Sequence, residues 1–474
     1  MTQCAQIPLI PTCPSNGAAM NTKSNDKTIY VCSACGRGFS RWIGKCPDCG
    51  EWNTIIEEKV TAARPKKRSV VPETDATPIT LCHSRQQPMI QCGIDEFDLL
   101  LGGGLVPDSS ILIGGEPGIG KSTLMLQVAG GLANQNLSAL YCTGEESTQQ
   151  VGMRGARIGI HSELLQIAAV RELPQIYALI NRIKPAVVVI DSAQTLYDPE
   201  LESAPGTVSQ IRSTAAELVD FCKRGDMLLV LIGHITKDGA IAGPKILEHL
   251  VDVVLYFEGE SHNWFRLLRV KKNRFGPASE IGIFQIGEEG LFAVGNPSEL
   301  FLNEYPEDIP GRAVVTAVEG QRPLLLEIQA LATQTNFGFP QRVSSGYDSR
   351  RLALMLAILE KRQRIQFGQR DVFVNLAGGL KIDDPALDLG LVAALISSVE
   401  DIPVQPQTVL IGEVGLSGEV RAVPFAERRI AEAAKLGFQK VILPKKNLRG
   451  LKPRNDIALV GVEKLQELPK AALM

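Results

Sequence analysis

Between about residues 86 and 290, short apolar runs alternate with stretches of helical spacing. Residues 111–113, 139–142, 187–190, 227–232 and 251–257 are continuous apolar segments, and 122–133 and 205–222 between them carry the helical pattern. Runs this short fall below helix length and are rich in branched side chains, so they predict strands. The alternation predicts βαβ units, an α/β domain with a largely parallel sheet and helices on both faces.

Past residue 290 the rhythm changes. Residues 313–318 and 324–332 read as paired strands, 372–376, 409–411 and 441–443 as further strands, and 347–361, 385–399 and 424–436 as amphipathic helices. These predict a second α/β domain over 291–474, without a short internal repeat. Towards the other end, residues 30–58 form a compact cysteine module. Residues 59–85 follow as a polar stretch in which Arg64-Pro65-Lys66-Lys67-Arg68 precedes Pro72 and Pro78. Proline and charge together resist packing, so this stretch reads as a linker, its basic run either solvated or against a DNA backbone. Residues 1–29 are broken by Pro8, Pro11 and Pro14 and lack the basic start and cleavage site of a secretion signal. They read as a disordered tail, with Met20 an alternative first residue.

Composition narrows the picture modestly. With 45% hydrophobic and 21% charged residues over 474 positions, the chain has the make-up of a soluble protein with real cores. A formal net charge of −3 leaves any nucleic-acid contact to local basic patches. No run approaches the ~20 apolar residues that a bilayer crossing needs. Of the ten cysteines, four lie at metal-binding spacing, while Cys4, Cys13, Cys82, Cys92, Cys142 and Cys222 are scattered. That usage fits a reducing cytoplasm rather than a disulfide framework.

The strongest chemical signal is Gly115-Glu116-Pro117-Gly118-Ile119-Gly120-Lys121-Ser122-Thr123, set between the strand at 111–113 and the helix at 122–133. Strand, glycine-rich loop and helix is the context in which curled backbone N–H groups and a helix N-terminus receive a phosphate. Lys121 is then expected to reach the β- and γ-phosphates of ATP, Ser122 to hold Mg²⁺, and Thr123 to extend the polar lip. Asp191 ends the apolar strand at 187–190, about 70 residues after the loop, where a carboxylate holds the same ion, usually through water. Glu145, in Thr143-Gly144-Glu145-Glu146-Ser147, follows the strand at 139–142 and is the expected general base, with Glu146 in reserve. The alternative is two acids that favour a helix start. His234 and Lys237 follow the strand at 227–232 and either sense the γ-phosphate, contact DNA or are structural.

Cys32-Ser33-Ala34-Cys35 and Cys46-Pro47-Asp48-Cys49 are two knuckles ten residues apart. Four thiolates at that spacing complete a tetrahedral structural zinc site. Gly36, Gly38, Trp42 and Gly44 fit a ribbon too small to fold without its ion. Phe39, Arg41, Trp42 and Lys45 contact DNA or a partner protein, or else pack the ribbon itself.

Leu101-Gly102-Gly103-Gly104 ahead of the phosphate loop resembles the core of RecA-type recombinases and DnaB-type helicases. Lys271-Lys272-Asn273-Arg274-Phe275-Gly276 resembles the Lys-Asn-Arg-Phe-Gly signature of the bacterial RadA (Sms) repair family. The resemblance runs from about residue 30 to the C-terminus. It implies an α/β architecture: a small N-terminal zinc ribbon, a RecA-like P-loop ATPase core and a C-terminal Lon-protease-like α/β domain. It further implies a homo-hexameric ring with ATP between subunits, in which Lys272 and Arg274 act on the neighbour's nucleotide or on DNA. The implied work is branch migration and heteroduplex extension on single-stranded and branched DNA, alongside the RecA recombinase.

Ile411-Gly412-Glu413-Val414-Gly415-Leu416-Ser417-Gly418-Glu419-Val420 and Val441-Ile442-Leu443-Pro444 resemble the peptidase domain of Lon. Lon chemistry joins a serine nucleophile to a lysine base. The matching positions here hold Ala386 and Glu427, while Ser344, Ser345 and Ser417 lie elsewhere, so the resemblance implies the fold without peptidase activity. Arg312, Arg322, Arg342, Arg350, Arg351 and Lys381 are candidates for phosphate contact. Two competing readings are an ATP-dependent protease, which needs the missing pair, and a passive ATP-binding scaffold, against which Lys121, Glu145 and Asp191 argue.

Overall fold

The structure, a computed structural model, describes residues 27–32, 37–60, 88–234, 245–259, 264–302, 309–335, 338–379 and 381–474. Lys237 and Cys35, both singled out above, lie outside them. Three strands, β1 (Lys27–Cys32), β2 (Gly38–Phe39) and β3 (Ile55–Val60), form an antiparallel sheet in the order β2-β1-β3. The ribbon's core is small: Cys32, Cys46 and Ile55 are buried, with Tyr30, Phe39 and Ile43 packed around them. Phe39 therefore belongs to the ribbon's own packing, whereas Trp42 stays 57% exposed.

The central sheet has nine strands: β4 (Ser110–Gly115), β5 (Ala139–Thr143), β6 (Leu165–Ala169), β7 (Val187–Asp191), β8 (Leu228–His234), β9 (Val253–Glu258), β10 (Phe265–Asn273), β11 (Ile281–Gly287) and β12 (Gly290–Ala293). Their order is β12-β11-β10-β9-β4-β8-β7-β5-β6. From β9 to β6 every pairing is parallel, and β10 to β12 extend one edge as antiparallel hairpins. The five strands expected from the sequence are all present. The antiparallel edge was not expected, and it carries the sheet past the anticipated boundary at 290 to Ala293.

Helices cover both faces because successive strand side chains point to opposite sides. Ile111 and Ile113 pack with Leu124 and Val128 of helix Lys121–Asn134 in one core. Leu112 packs into a second core with Ile176 of helix Leu173–Ile183 and Leu218 of helix Val208–Arg224. Each such aliphatic side chain contributes about 1.5–3 kcal/mol on full burial. Gly131 shows how closely helix Lys121–Asn134 is approached, since a Cβ there would stand 2.0 Å from the carbonyl oxygen of Cys92.

The C-terminal sheet comprises β13 (Arg312–Glu319), β14 (Arg322–Gln334), β15 (Arg342–Ser345), β16 (Arg370–Leu376), β17 (Thr408–Leu410), β20 (Lys440–Pro444) and β21 (Ala458–Val462). A short pair, β18 (Glu413–Val414) and β19 (Val420–Arg421), lies apart from it. The order is β15-β16-β14-β13-β17-β20-β21, with β13 and β14 antiparallel as their sequences suggest. Helices Ser349–Gln363, Asp388–Glu400 and Ala426–Lys435 pack against it. The two lobes share one hydrophobic core: Phe265, Leu267 and Ile283 of the central sheet cluster with Ala313 and Val315. Phe265 and Phe301 meet edge to face, and ion pairs Arg269–Glu319 and Arg322–Glu96 cross the same junction. Among the described residues no helix is long and apolar enough to cross a membrane.

Candidate active site

The parallel strands β4, β5, β7 and β8 end at one edge of the sheet, and the predicted phosphate machinery collects there. Gly115 closes β4, and the loop turns through Gly118 at φ 75° and Gly120 at φ 118° before helix Lys121–Asn134 begins. Both angles lie in the left-handed region that glycine enters without strain. Helix Lys121–Asn134 carries no acidic residue in its first turn, so its N-terminal dipole is open to an anion.

Lys121 is buried, its ammonium donating to the carbonyls of Gly115 and Glu116, each at 2.8 Å. Burial pushes its pKa down to about 8, against the opposing pull of Asp191, Glu145 and Glu116. A cation desolvated in this way favours an anionic partner. Asp191 ends β7 with its Oδ2 receiving the Tyr141 hydroxyl at 2.5 Å. Burial and the neighbouring Asp191 carboxylate hold the Tyr141 phenol protonated, well above its ordinary range. Oδ1 of Asp191 takes no hydrogen bond from the described residues, which leaves one carboxylate oxygen and the Ser122 hydroxyl as the pair expected to hold Mg²⁺. The donor set, hydroxyl and carboxylate oxygen, suits that hard cation.

Two acids follow β5, and the structure separates them. Glu146 is paired with Arg154 of helix Thr148–Arg157. Glu145 is half exposed, and its Oε1 accepts from Ser192 Oγ at 2.6 Å and meets His234 Nε2 at 3.1 Å. Arg154, eight residues beyond its partner, carries no motif that marks the pairing. The one signal for Ser192 is its place directly after Asp191.

Lys272 and Arg274 are not brought to this edge. Lys272 Nζ donates to the carbonyls of Glu248 at 2.9 Å and Val251 at 2.7 Å. Arg274 donates to Asp252 Oδ1 at 3.2 Å, and the other Asp252 oxygen accepts from the Ser110 amide and hydroxyl. Ser110 begins β4 and Gly115 ends it, so this cationic pair sits a strand's length, roughly 17 Å, from the phosphate loop of its own chain. Lys223 shares Asp252 at 2.8 Å.

In the ribbon the sulfurs of Cys32, Cys46 and Cys49 all lie within 4.8 Å of one another, and Cys32 and Cys49 are 3.7 Å apart. A tetrahedron built on zinc–sulfur bonds of ~2.3 Å has an edge of about 3.8 Å, so the thiols fit a tetrahedral ion. Cys142 and Cys222, by contrast, are buried among apolar side chains, and burial pushes both thiols up to about 12.

At the Lon-like positions, Ala386 is fully buried and Glu427 lies in the first turn of helix Ala426–Lys435. Beside them Arg429, itself buried, donates to Asp384 Oδ2 at 2.8 Å, while Asp384 Oδ1 accepts from the Ala386 amide. Among the proposed phosphate ligands, Arg312, Arg322 and Arg351 are paired with Glu327, Glu96 and Asp388, and Arg342 donates to main-chain carbonyls. Arg350 and Lys381 remain exposed.

Residues 90–240 match the AAA domain family, residues 30–57 the rubredoxin metal binding domain family, and residues 350–447 the family of subunit ChlI of Mg-chelatase. Fold and site together define a RecA-like P-loop ATPase core carried between a zinc ribbon and a Lon-like domain. The DNA repair protein RadA of Bacillus subtilis (strain 168) is 44% identical over 452 residues, covering 94% of this chain and 99% of that protein. The DNA repair protein RadA of Haemophilus influenzae is 44% identical over 451 residues, covering 94% and 97%. That of Brucella abortus is 45% identical over 441 residues, covering 90% and 93%. The chain belongs to the DNA repair protein RadA family. A KaiC-like protein from Pyrococcus horikoshii OT3 aligns at TM-score 0.37 and 21% identity over 44% of this chain and 99% of that one, too slight a likeness to bear on the fold.

Proposed function

We propose that this chain is a DNA-dependent ATPase that moves along single strands or branched recombination intermediates in the cytoplasm, extending heteroduplex alongside the RecA recombinase. In this reading residues 30–58 are the zinc ribbon, 59–85 the linker, 86–290 the motor, its sheet running on to Ala293, and the rest up to 474 a Lon-like domain. The separation of Lys121 from Arg274 carries the proposal. One subunit offers a phosphate loop at one end of its sheet and a cationic pair at the other, so a complete site needs two subunits and a closed ring, for which we favour a hexamer.

Within that site the N–H groups of the loop Gly115 to Thr123, all but that of Pro117, which has none, cradle the triphosphate, and Lys121 leaves its loop carbonyls to meet the β- and γ-oxygens. Ser122 and Asp191 would hold Mg²⁺, which when bound would neutralise phosphate charge. Glu145 orients the attacking water and takes its proton. Lys272 and Arg274 of one subunit approach the neighbour's γ-phosphate, where added cationic charge stabilises the transition state. Structural zinc on Cys32, Cys35, Cys46 and Cys49 supplies folding energy to the ribbon. The C-terminal domain builds the ring without cleaving peptides, because Ala386 offers no nucleophile and Glu427 no amine.

A strand-exchange assay tests the proposal. The protein should lengthen heteroduplex on RecA-made joint molecules when ATP is present, and Lys121→Ala should not. Joint molecules that lengthen equally with either protein would sink it, as would ATP-stimulated digestion of casein by the intact chain.

A further inference from the structure

The surroundings of Glu145 carry more than its assignment as a base. Its carboxylate is half exposed, yet its two oxygens are in different situations. Oε1 receives the Ser192 hydroxyl at 2.6 Å and faces His234 Nε2 at 3.1 Å. Oε2 has no hydrogen bond from the described residues. A carboxylate oxygen only accepts, so the imidazole nitrogen facing it carries the hydrogen. The other ring nitrogen, Nδ1, is buried with no hydrogen-bond partner among the described residues, which fits a ring placed for its Nε2 contact.

Both donors stand on fixed elements. His234 is the last residue of β8, and its carbonyl accepts from Gln194 Nε2 at 3.2 Å. Ser192 is fully buried and immediately follows β7, beside the short helix Ala193–Thr195. The β5 end is tied to the same place, because the Gly144 amide donates to the Asp191 carbonyl at 2.7 Å. Three neighbouring strand ends therefore converge on one exposed acid.

We infer that Ser192 and His234 are positioning residues that grip Glu145 through Oε1, leaving Oε2 as the oxygen that orients the attacking water and receives its proton. This rests on the reading of Glu145 as the general base. Two donors on one oxygen remove the rotational freedom of a long, solvent-facing side chain and fix the direction of the free lone pairs. Small misplacements of a reacting group are costly, on the order of a hundredfold for about 1 Å. The bond changes are those of hydrolysis: the water oxygen bonds to the γ-phosphorus, the bond to the β–γ bridging oxygen breaks, and the water proton passes to Oε2 and then to solvent.

A double-mutant cycle tests it, using turnover and nucleotide KM of the full chain with single-stranded DNA. Ser192→Ala and His234→Ala should each lower kcat between about tenfold and a hundredfold with KM unchanged. Ser192→Thr, which keeps the hydroxyl, and His234→Gln, which keeps a donor, should recover most of the loss. In a Glu145→Gln background neither alanine change should lower single-turnover hydrolysis further, because the group they position is gone. Wild-type kcat in both alanine variants overturns the inference. The same fold-loss persisting beside Glu145→Gln also overturns it, and assigns the two residues a role apart from Glu145. If Glu145→Gln alone hydrolyses ATP at the wild-type rate, the base assignment itself falls and takes the inference with it.

Discussion

Arg274 and Lys121 stand at opposite ends of one strand: the guanidinium meets Asp252 beside Ser110, while the ammonium meets the carbonyl of Gly115. The two charges that the proposed mechanism brings to a γ-phosphate therefore come from different subunits. Arg274→Ala should leave nucleotide binding intact and lower turnover roughly a thousandfold. Mixing that variant with Lys121→Ala should give more hydrolysis than either alone, since some interfaces in a mixed ring pair an intact lysine with an intact arginine. A mixture no more active than its components would place Arg274 outside the reaction.

Lys121 makes nucleotide binding sensitive to pH in a defined direction. Burial has lowered its pKa from 10.5 to about 8 in the ligand-free chain, and a bound triphosphate, which favours the charged form, raises it again. Affinity for ATP is thus greatest below about 8 and weakens as pH climbs above it, by up to about tenfold per unit until the ligand-bound pKa is reached. Calorimetric titration in buffers of different ionisation enthalpy should find proton uptake on binding near pH 8.5. Proton release there, or none, would contradict the shift.

How far these features could be read in advance differs by element. The phosphate loop was legible because its chemistry needs residues that are contiguous in sequence, and the paired strands β13 and β14 because their apolar runs are long and adjacent. Asp191 was legible as an acid ending a buried strand. The edge strands β10 to β12 were not, since their burial depends on a second lobe: Phe265 and Ile283 are covered by residues beyond 300. The pairing of Glu146 with Arg154, which leaves Glu145 open to solvent, is a side-chain contact that no motif encodes. The partner of Arg274 was equally hidden, because Asp252 reaches it only through the packing of β9 against β10.

The ribbon's three clustered thiols predict one zinc per chain by elemental analysis. Cys49→Ser should weaken retention, and chelation should unfold the ribbon, moving the emission of the exposed Trp42 and Trp52. Emission unchanged after complete metal removal would mean that the ribbon does not depend on its ion.

In the C-terminal domain, Asp384 and Arg429 form a pair in which the arginine side chain is 1% exposed and the aspartate 9%. Removing one partner strands the other, at a cost of roughly 3–5 kcal/mol. Asp384→Ala should therefore lower the urea midpoint of this lobe substantially, and a midpoint equal to that of the parent protein would show that the guanidinium finds solvent.

The most direct measurement is phosphate release from ATP by the purified chain, with and without single-stranded DNA. Coupling of the phosphate loop to a DNA track predicts slow hydrolysis alone, a clear rise on adding DNA, and loss of both in Lys121→Ala. Failure to bind ATP, or a rate indifferent to DNA at every concentration, would contradict it.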